Sequence, residues 1–211
     1  MNSAILMVFE FVVLIFSAVL HEVAHGYTAQ WLGDDTAERA GRLTLNPIKH
    51  LDLFGSILMP IALYLASGGT FFFAAAKPVP YNPNNLKDPR SGGAKIALAG
   101  PLTNFVLAAI FGLLVRGLSY TSVSPLAITL FEIVCYVNIV LGVFNLVPIP
   151  PLDGSRVLFA LLPQTPRTME IMYTLERFGL ILVIVFVFVG FALLAPVMAG
   201  IFTLFTGQPL M

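Results

Sequence analysis

"SAVLHEVAHGYTAQWLG", residues 17–33, is the stretch on which the reading of this chain turns. It closes an apolar run that starts at residue 3, long enough for a helix to cross a bilayer at about 1.5 Å per residue. His21, Glu22 and His25 nevertheless sit well inside that run. Ionisable side chains at membrane depth are costly and mark functional positions. The stretch therefore predicts a membrane helix that carries chemistry.

Composition agrees with a membrane setting. The 211 residues are 58% hydrophobic and only 10% charged, against roughly a quarter charged in a typical soluble domain. Mean hydropathy is +0.91. Eleven basic residues balance eleven acidic ones, so nothing in the charge favours a nucleic-acid partner. The lone Cys135 excludes an intramolecular disulfide and a cysteine-only zinc site. No basic residue precedes Arg39, so the N-terminal run lacks the charged start of a signal peptide. The expectation is one membrane-embedded domain over residues 1–211.

Further apolar runs predict spans at 94–118, at 125–146 and from about 176 to 207, the last with Pro196 and Gly200 as kink points. Residues 51–76 are apolar but cut by Gly55, Pro60 and Gly68-Gly69. They read as one span, a hairpin or a re-entrant segment. Charge asymmetry chooses between these. Every Lys and Arg except Arg116 falls in or next to 33–50, 77–95 and 153–177, which the positive-inside rule places in the cytoplasm. Residues 51–76 must then enter and return on one side. "AGRLTLNP" (40–47) and "FFFAAAKPVPYNP" (71–83) are short, partly alternating and end in proline, which suits strands or extended chain. The predicted fold class is an all-α polytopic membrane protein. It has four to six transmembrane helices, short extended or β segments and a re-entrant 51–76.

On a helix, His21 and His25 share one face a turn apart. Two imidazoles so placed can ligate one zinc ion, while Glu22 lies close to the open position and can act as general base on water. A catalytic zinc needs a third protein ligand. The acidic residues in apolar surroundings are Glu10, Glu132 and Asp153. Asp153 follows the helix-breaking Pro148, Pro150 and Pro151 and opens the next helix in an N-cap-like position. The residues alone leave a ligand and a plain capping aspartate both open.

Three motifs in order carry a resemblance. "HEVAH" on one span, "AGPLTN" (99–104) in a second and "FNLVPIPPLDG" (144–154) closing a third resemble the site-2 protease family of intramembrane zinc metalloproteases. The likeness is to its compact branch without PDZ or CBS domains. It implies His21, His25 and Asp153 as ligands of one zinc ion per chain, with Glu22 as catalytic acid and base. It also implies that Asn104 and Asn145 lie near the active site, orienting substrate or stabilising the oxyanion. The expected activity is cleavage of peptide bonds in or near transmembrane segments of other membrane proteins. The expected setting is a bacterial or archaeal plasma membrane, with the site open to the cytoplasm. A buried helix must unwind before attack, and extended chain at 39–46 or 71–81 would pair with the unwound strand. The competing expectation is a non-catalytic zinc-binding membrane protein or transporter. The sequence names neither the substrate nor a regulatory membrane partner.

Overall fold

The computed structural model describes residues 3–51, 77–119 and 121–210, with Leu58, Ile61 and Leu65 between them. The first helix, α1 (Ser3–Trp31), ends where Gly33 takes a φ of 105°, a left-handed conformation that costs glycine little. A single turn, α2 (Thr36–Arg39), follows. The second long helix, α3 (Pro89–Leu118), begins five residues ahead of the predicted span. Its start is set by a cap rather than by hydropathy. The Asp88 carboxylate accepts from the Arg90 and Ser91 amides, and Pro89 occupies the first turn, where its missing N–H costs nothing. A third helix, α4 (Pro125–Asn145), stops short of the prolines, and α5 (Asp153–Leu161) resumes beyond them.

The last span departs most from expectation. Helix α6 (Pro166–Val185) starts ten residues early, where the Thr165 hydroxyl accepts from the Thr168 amide. It runs through a π turn (Phe186–Gly190) and a 3₁₀ turn (Phe191–Leu194) into α7 (Ala195–Thr206). The polar residues Arg167, Glu170, Glu176 and Arg177 hid its first turns from a hydropathy reading. The irregular turns lie just before Pro196, which has no N–H to give the Ala192 carbonyl and crowds the turn before it. Gly200, the other expected kink point, lies in regular helix.

Among the described residues four helical stretches are long and apolar enough to cross a membrane: Ala4–Trp31, Pro89–Leu118, Pro125–Asn145 and Pro166–Thr206. Their outward faces carry large apolar side chains such as Phe11, Val106, Ile110 and Ile181, as lipid contact requires. Helix α3 lies at the centre, against α1, α4, α5 and α7. Ala108, Cys135, Ile139, Val143, Met198 and Phe202 form the core where α3, α4 and α7 meet.

No β-strand occurs among the described residues. Residues 40–46 and 77–82 are irregular chain, tied down by isolated contacts instead of a ladder. Arg42 Nη2 donates to the Lys77 carbonyl at 2.7 Å, and the Lys77 amide donates to the His50 carbonyl at 2.8 Å. The predicted re-entrant course of 51–76, and the extended start of 71–83, lie outside the described residues. His50 and Lys77, which flank that segment, are in direct contact.

The basic segments gather at one end of the bundle. Asp34 binds Asn82 and Asn85, Arg156 stacks 5.4 Å over the Tyr81 ring, and Arg90 donates to the carbonyls of Ala160 and Leu162.

Candidate metal centre

His21 and His25 project from the same face of α1, their rings 4.7 Å apart and nearly perpendicular (87°). Both are buried, at 6% and 9% exposure. Proline breakage of α4 turns the chain so that α5 aims its first residue, Asp153, at them. Asp153 Oδ2 lies 3.0 Å from His21 Nε2 and 3.3 Å from His25 Nε2. The carboxylate caps nothing. Leu152 holds the N-cap position and Asp153 is the first helical residue, so the capping reading is replaced by convergence on the histidines.

The three donor atoms lie within 4.8 Å of one another. Tetrahedral ligands about 2.1 Å from a zinc ion stand roughly 3.4 Å apart, close to both of these separations. The chemistry of the set also fits. Each Nδ1 is occupied from behind, which turns each Nε2 lone pair toward the carboxylate. His21 Nδ1 donates to Asn104 Oδ1 at 2.6 Å, and His25 Nδ1 donates to the Ile96 carbonyl at 2.6 Å.

Gly100 makes this approach possible. A methyl group built there would stand 2.5 Å from His21 Nε2 and 2.6 Å from Cδ2 and Cε1. The imidazole therefore lies flat on bare α3 backbone.

Glu22 sits at the partly exposed edge of the cluster. Its Oε2 accepts from the Val79 amide at 2.8 Å. Val79 belongs to the irregular 77–82 strap and packs its side chain into the notch at Gly26, one turn further along α1. Asp34 anchors the far end of that strap. Its carboxylate is fully buried and accepts from the Asn82 amide, Asn85 Nδ2 and both the amide and the hydroxyl of Thr36. Burial alone would raise its pKa, but these four hydrogen bonds outweigh burial and hold it below the ordinary value of 3.8.

Asn104 touches the cluster directly. It is fully buried behind His21, with Oδ1 on the imidazole and Nδ2 donating to Asn138 Oδ1 at 2.9 Å, so it does not face an open site. Asn145, half-buried at the end of α4, donates to the Leu141 carbonyl of its own helix. Glu10 and Glu132, the other acidic candidates for a third ligand, line a separate cavity of about 300 Å³ with Thr129 and Tyr136. His50 is buried and donates Nε2–H to the Thr44 carbonyl.

Sequence reasoning missed Ser17, Asn138, Val79 and Asp34. Ser17 and Asn138 carried a signal, being polar residues inside apolar spans. Val79 acts through its backbone and carried none.

A family model for Peptidase family M50 matches residues 121–186. "Putative zinc metalloprotease YwhC" of Bacillus subtilis is 42% identical over 186 residues, covering 85% of this chain and 80% of that protein. "Putative zinc metalloprotease Rip2" of Mycolicibacterium smegmatis is 32% identical over 174 residues, covering 81% of this chain and 63% of that one. "Zinc metalloprotease MJ0392" of Methanocaldococcus jannaschii is 29% identical over 166 residues, covering 78% of this chain and 37% of its own length. This chain thus spans less than two thirds of the last two proteins. No solved structure matches it. Likeness of this extent, on a multi-pass membrane scaffold, places the chain in peptidase family M50, the site-2 protease family.

Proposed function

We propose that this protein is an intramembrane zinc metalloprotease that hydrolyses peptide bonds in or near transmembrane segments of other membrane proteins. The convergence of His21 and His25, on a helix long and apolar enough to cross a membrane, with Asp153 is the observation that carries the reading. His21 Nε2, His25 Nε2 and one Asp153 oxygen would hold one zinc ion per chain. When bound, zinc supplies the Lewis acidity that polarises a scissile carbonyl and acidifies water. Glu22 is the proton carrier, taking a proton from the attacking water and returning it to the leaving amine. The Val79 N–H orients its carboxylate. Asn104 acts through His21 as a positioning residue, and Asn145 remains a candidate for orienting substrate.

Residues 1–211 work as one membrane-embedded unit in a bacterial or archaeal plasma membrane. The basic end of the bundle, and with it the approach to the metal, faces the cytoplasm. His21 lies ten residues, or about 15 Å, below the Trp31 end of α1. That depth is about half of a 30 Å hydrocarbon core, where a substrate helix hides its peptide bonds. The strap at 77–82 offers irregular backbone beside Glu22 against which an unwound substrate can lie.

Incubating the purified protein with a tagged single-span substrate, with and without a zinc chelator, tests the reading. Cleavage that stops with chelator and returns with added zinc is the expected result. A zinc-loaded protein that cleaves no membrane substrate would instead favour a non-catalytic zinc-binding protein or transporter.

A further inference from the structure

Behind His21 runs a chain of three buried polar side chains drawn from three different helices. Asn104 Oδ1 accepts from His21, Asn104 Nδ2 donates to Asn138 Oδ1 at 2.9 Å, and Asn138 Nδ2 donates to Ser17 Oγ and to the Val134 carbonyl, each at 2.9 Å. Asn104 and Asn138 are 0% exposed and Ser17 is 4% exposed.

The order of donors and acceptors is the informative feature. A side-chain amide can turn over and exchange its oxygen for its nitrogen. If Asn104 did so, it would present N–H groups to His21 and force the imidazole into the opposite tautomer, with the proton on Nε2. That proton would occupy the lone pair the metal needs. Asn104 cannot turn while Asn138 offers it only an oxygen. Asn138 is held in turn, because both hydrogens of its own amide are committed to Ser17 and Val134.

We propose that Asn138 and Ser17 are positioning residues for the metal centre. Through Asn104 they fix the His21 tautomer that leaves Nε2 free to bind the metal. This rests on the reading of His21, His25 and Asp153 as the zinc site. Asn138 touches neither metal nor substrate and lies in α4, which supplies no ligand.

Zinc affinity of the full-length purified protein in detergent, measured by competition with a chromogenic chelator, is the test. Asn138→Leu keeps the branched skeleton but removes the acceptor, and should weaken zinc binding about tenfold or more, the scale of lost outer-shell support. Ser17→Ala leaves Val134 as one partner and should cost about threefold, the scale of one net hydrogen bond. Ile139→Ala, at the next and equally buried position of α4, loses packing but should bind zinc as the wild type does. Wild-type affinity in both polar variants overturns the relay, as does an equal loss in Ile139→Ala. If Asn138→Leu does not fold, Ser17→Ala carries the test alone. Zinc binding by the wild type, lost in His21→Ala, is the control for the site itself. If His21→Ala binds as tightly as wild type, the zinc-site reading fails and takes the relay with it.

Discussion

Gly100→Ala turns the contact between α1 and α3 into a number. The added methyl would sit 2.5–2.6 Å from three atoms of the His21 ring, whereas ordinary contact begins at 3.4 Å. The ring or the helix must therefore yield by roughly 1 Å, several times the 0.2 Å tolerance of metal–ligand distances. The ring is the softer partner, since α3 is clamped by four neighbouring helices. Without metal it can shift against its 2.6 Å hydrogen bond to Asn104, and the change of Gly to Ala inside a helix offsets that cost by about 1 kcal/mol. With metal it cannot. Overpacking of this kind costs 1–3 kcal/mol, and about 2 kcal/mol is roughly a thirtyfold loss of zinc affinity. The assay pairs zinc competition with thermal unfolding of the metal-free protein. The expected result is weakened zinc binding at little-changed metal-free stability. Wild-type zinc affinity in this variant would refute the flat contact of imidazole on backbone, and with it the placement of α3.

Three further outcomes follow from the geometry. Asp153→Ala removes one of the three proposed ligands and leaves two imidazoles, so zinc should be lost from the purified protein in metal analysis; undiminished affinity would remove Asp153 from the site. Asp34→Ala strips four hydrogen bonds from a buried carboxylate and should destabilise the protein by about 2–4 kcal/mol in chemical unfolding. Because the folded-state pKa of Asp34 lies below its ordinary 3.8, its contribution is complete above that value and is lost as pH falls through the folded value. Wild-type stability should therefore drop more steeply below about pH 4 than that of Asp34→Ala. Cysteines placed at Thr44 and Asn84 in a Cys135→Ser background should both react with impermeant reagent only in inverted vesicles; labelling from opposite sides would overturn the topology.

The long spans were legible because hydropathy depends on composition alone, and the histidine pair because helical spacing fixes their shared face. Helix starts were less legible. Asp88 and Thr165 set them by capping, and the polar first turns of α6 carry no hydropathy signal. Asp153 was ambiguous for a physical reason: an aspartate at a helix start looks the same whether it caps its own helix or reaches across to another. Asn104 was drawn into the site by its motif, but the sequence could not show that it stands behind the histidine instead of before the substrate. Only the packing of α3 between α1 and α4 decides that. The strap was least legible, since it meets Glu22 through the Val79 backbone, which has no signature in residue identity.

In the proposed reaction Glu22 moves the proton at the metal. The most direct measurement compares wild-type protein with Glu22→Gln on a tagged single-span substrate in proteoliposomes, with zinc content determined on the same samples. Gln keeps the shape and an acceptor for the Val79 amide but cannot take a proton at neutral pH. Loss of cleavage with about one zinc per chain retained is the expected result. Cleavage near the wild-type rate in the zinc-loaded variant would contradict that role for Glu22.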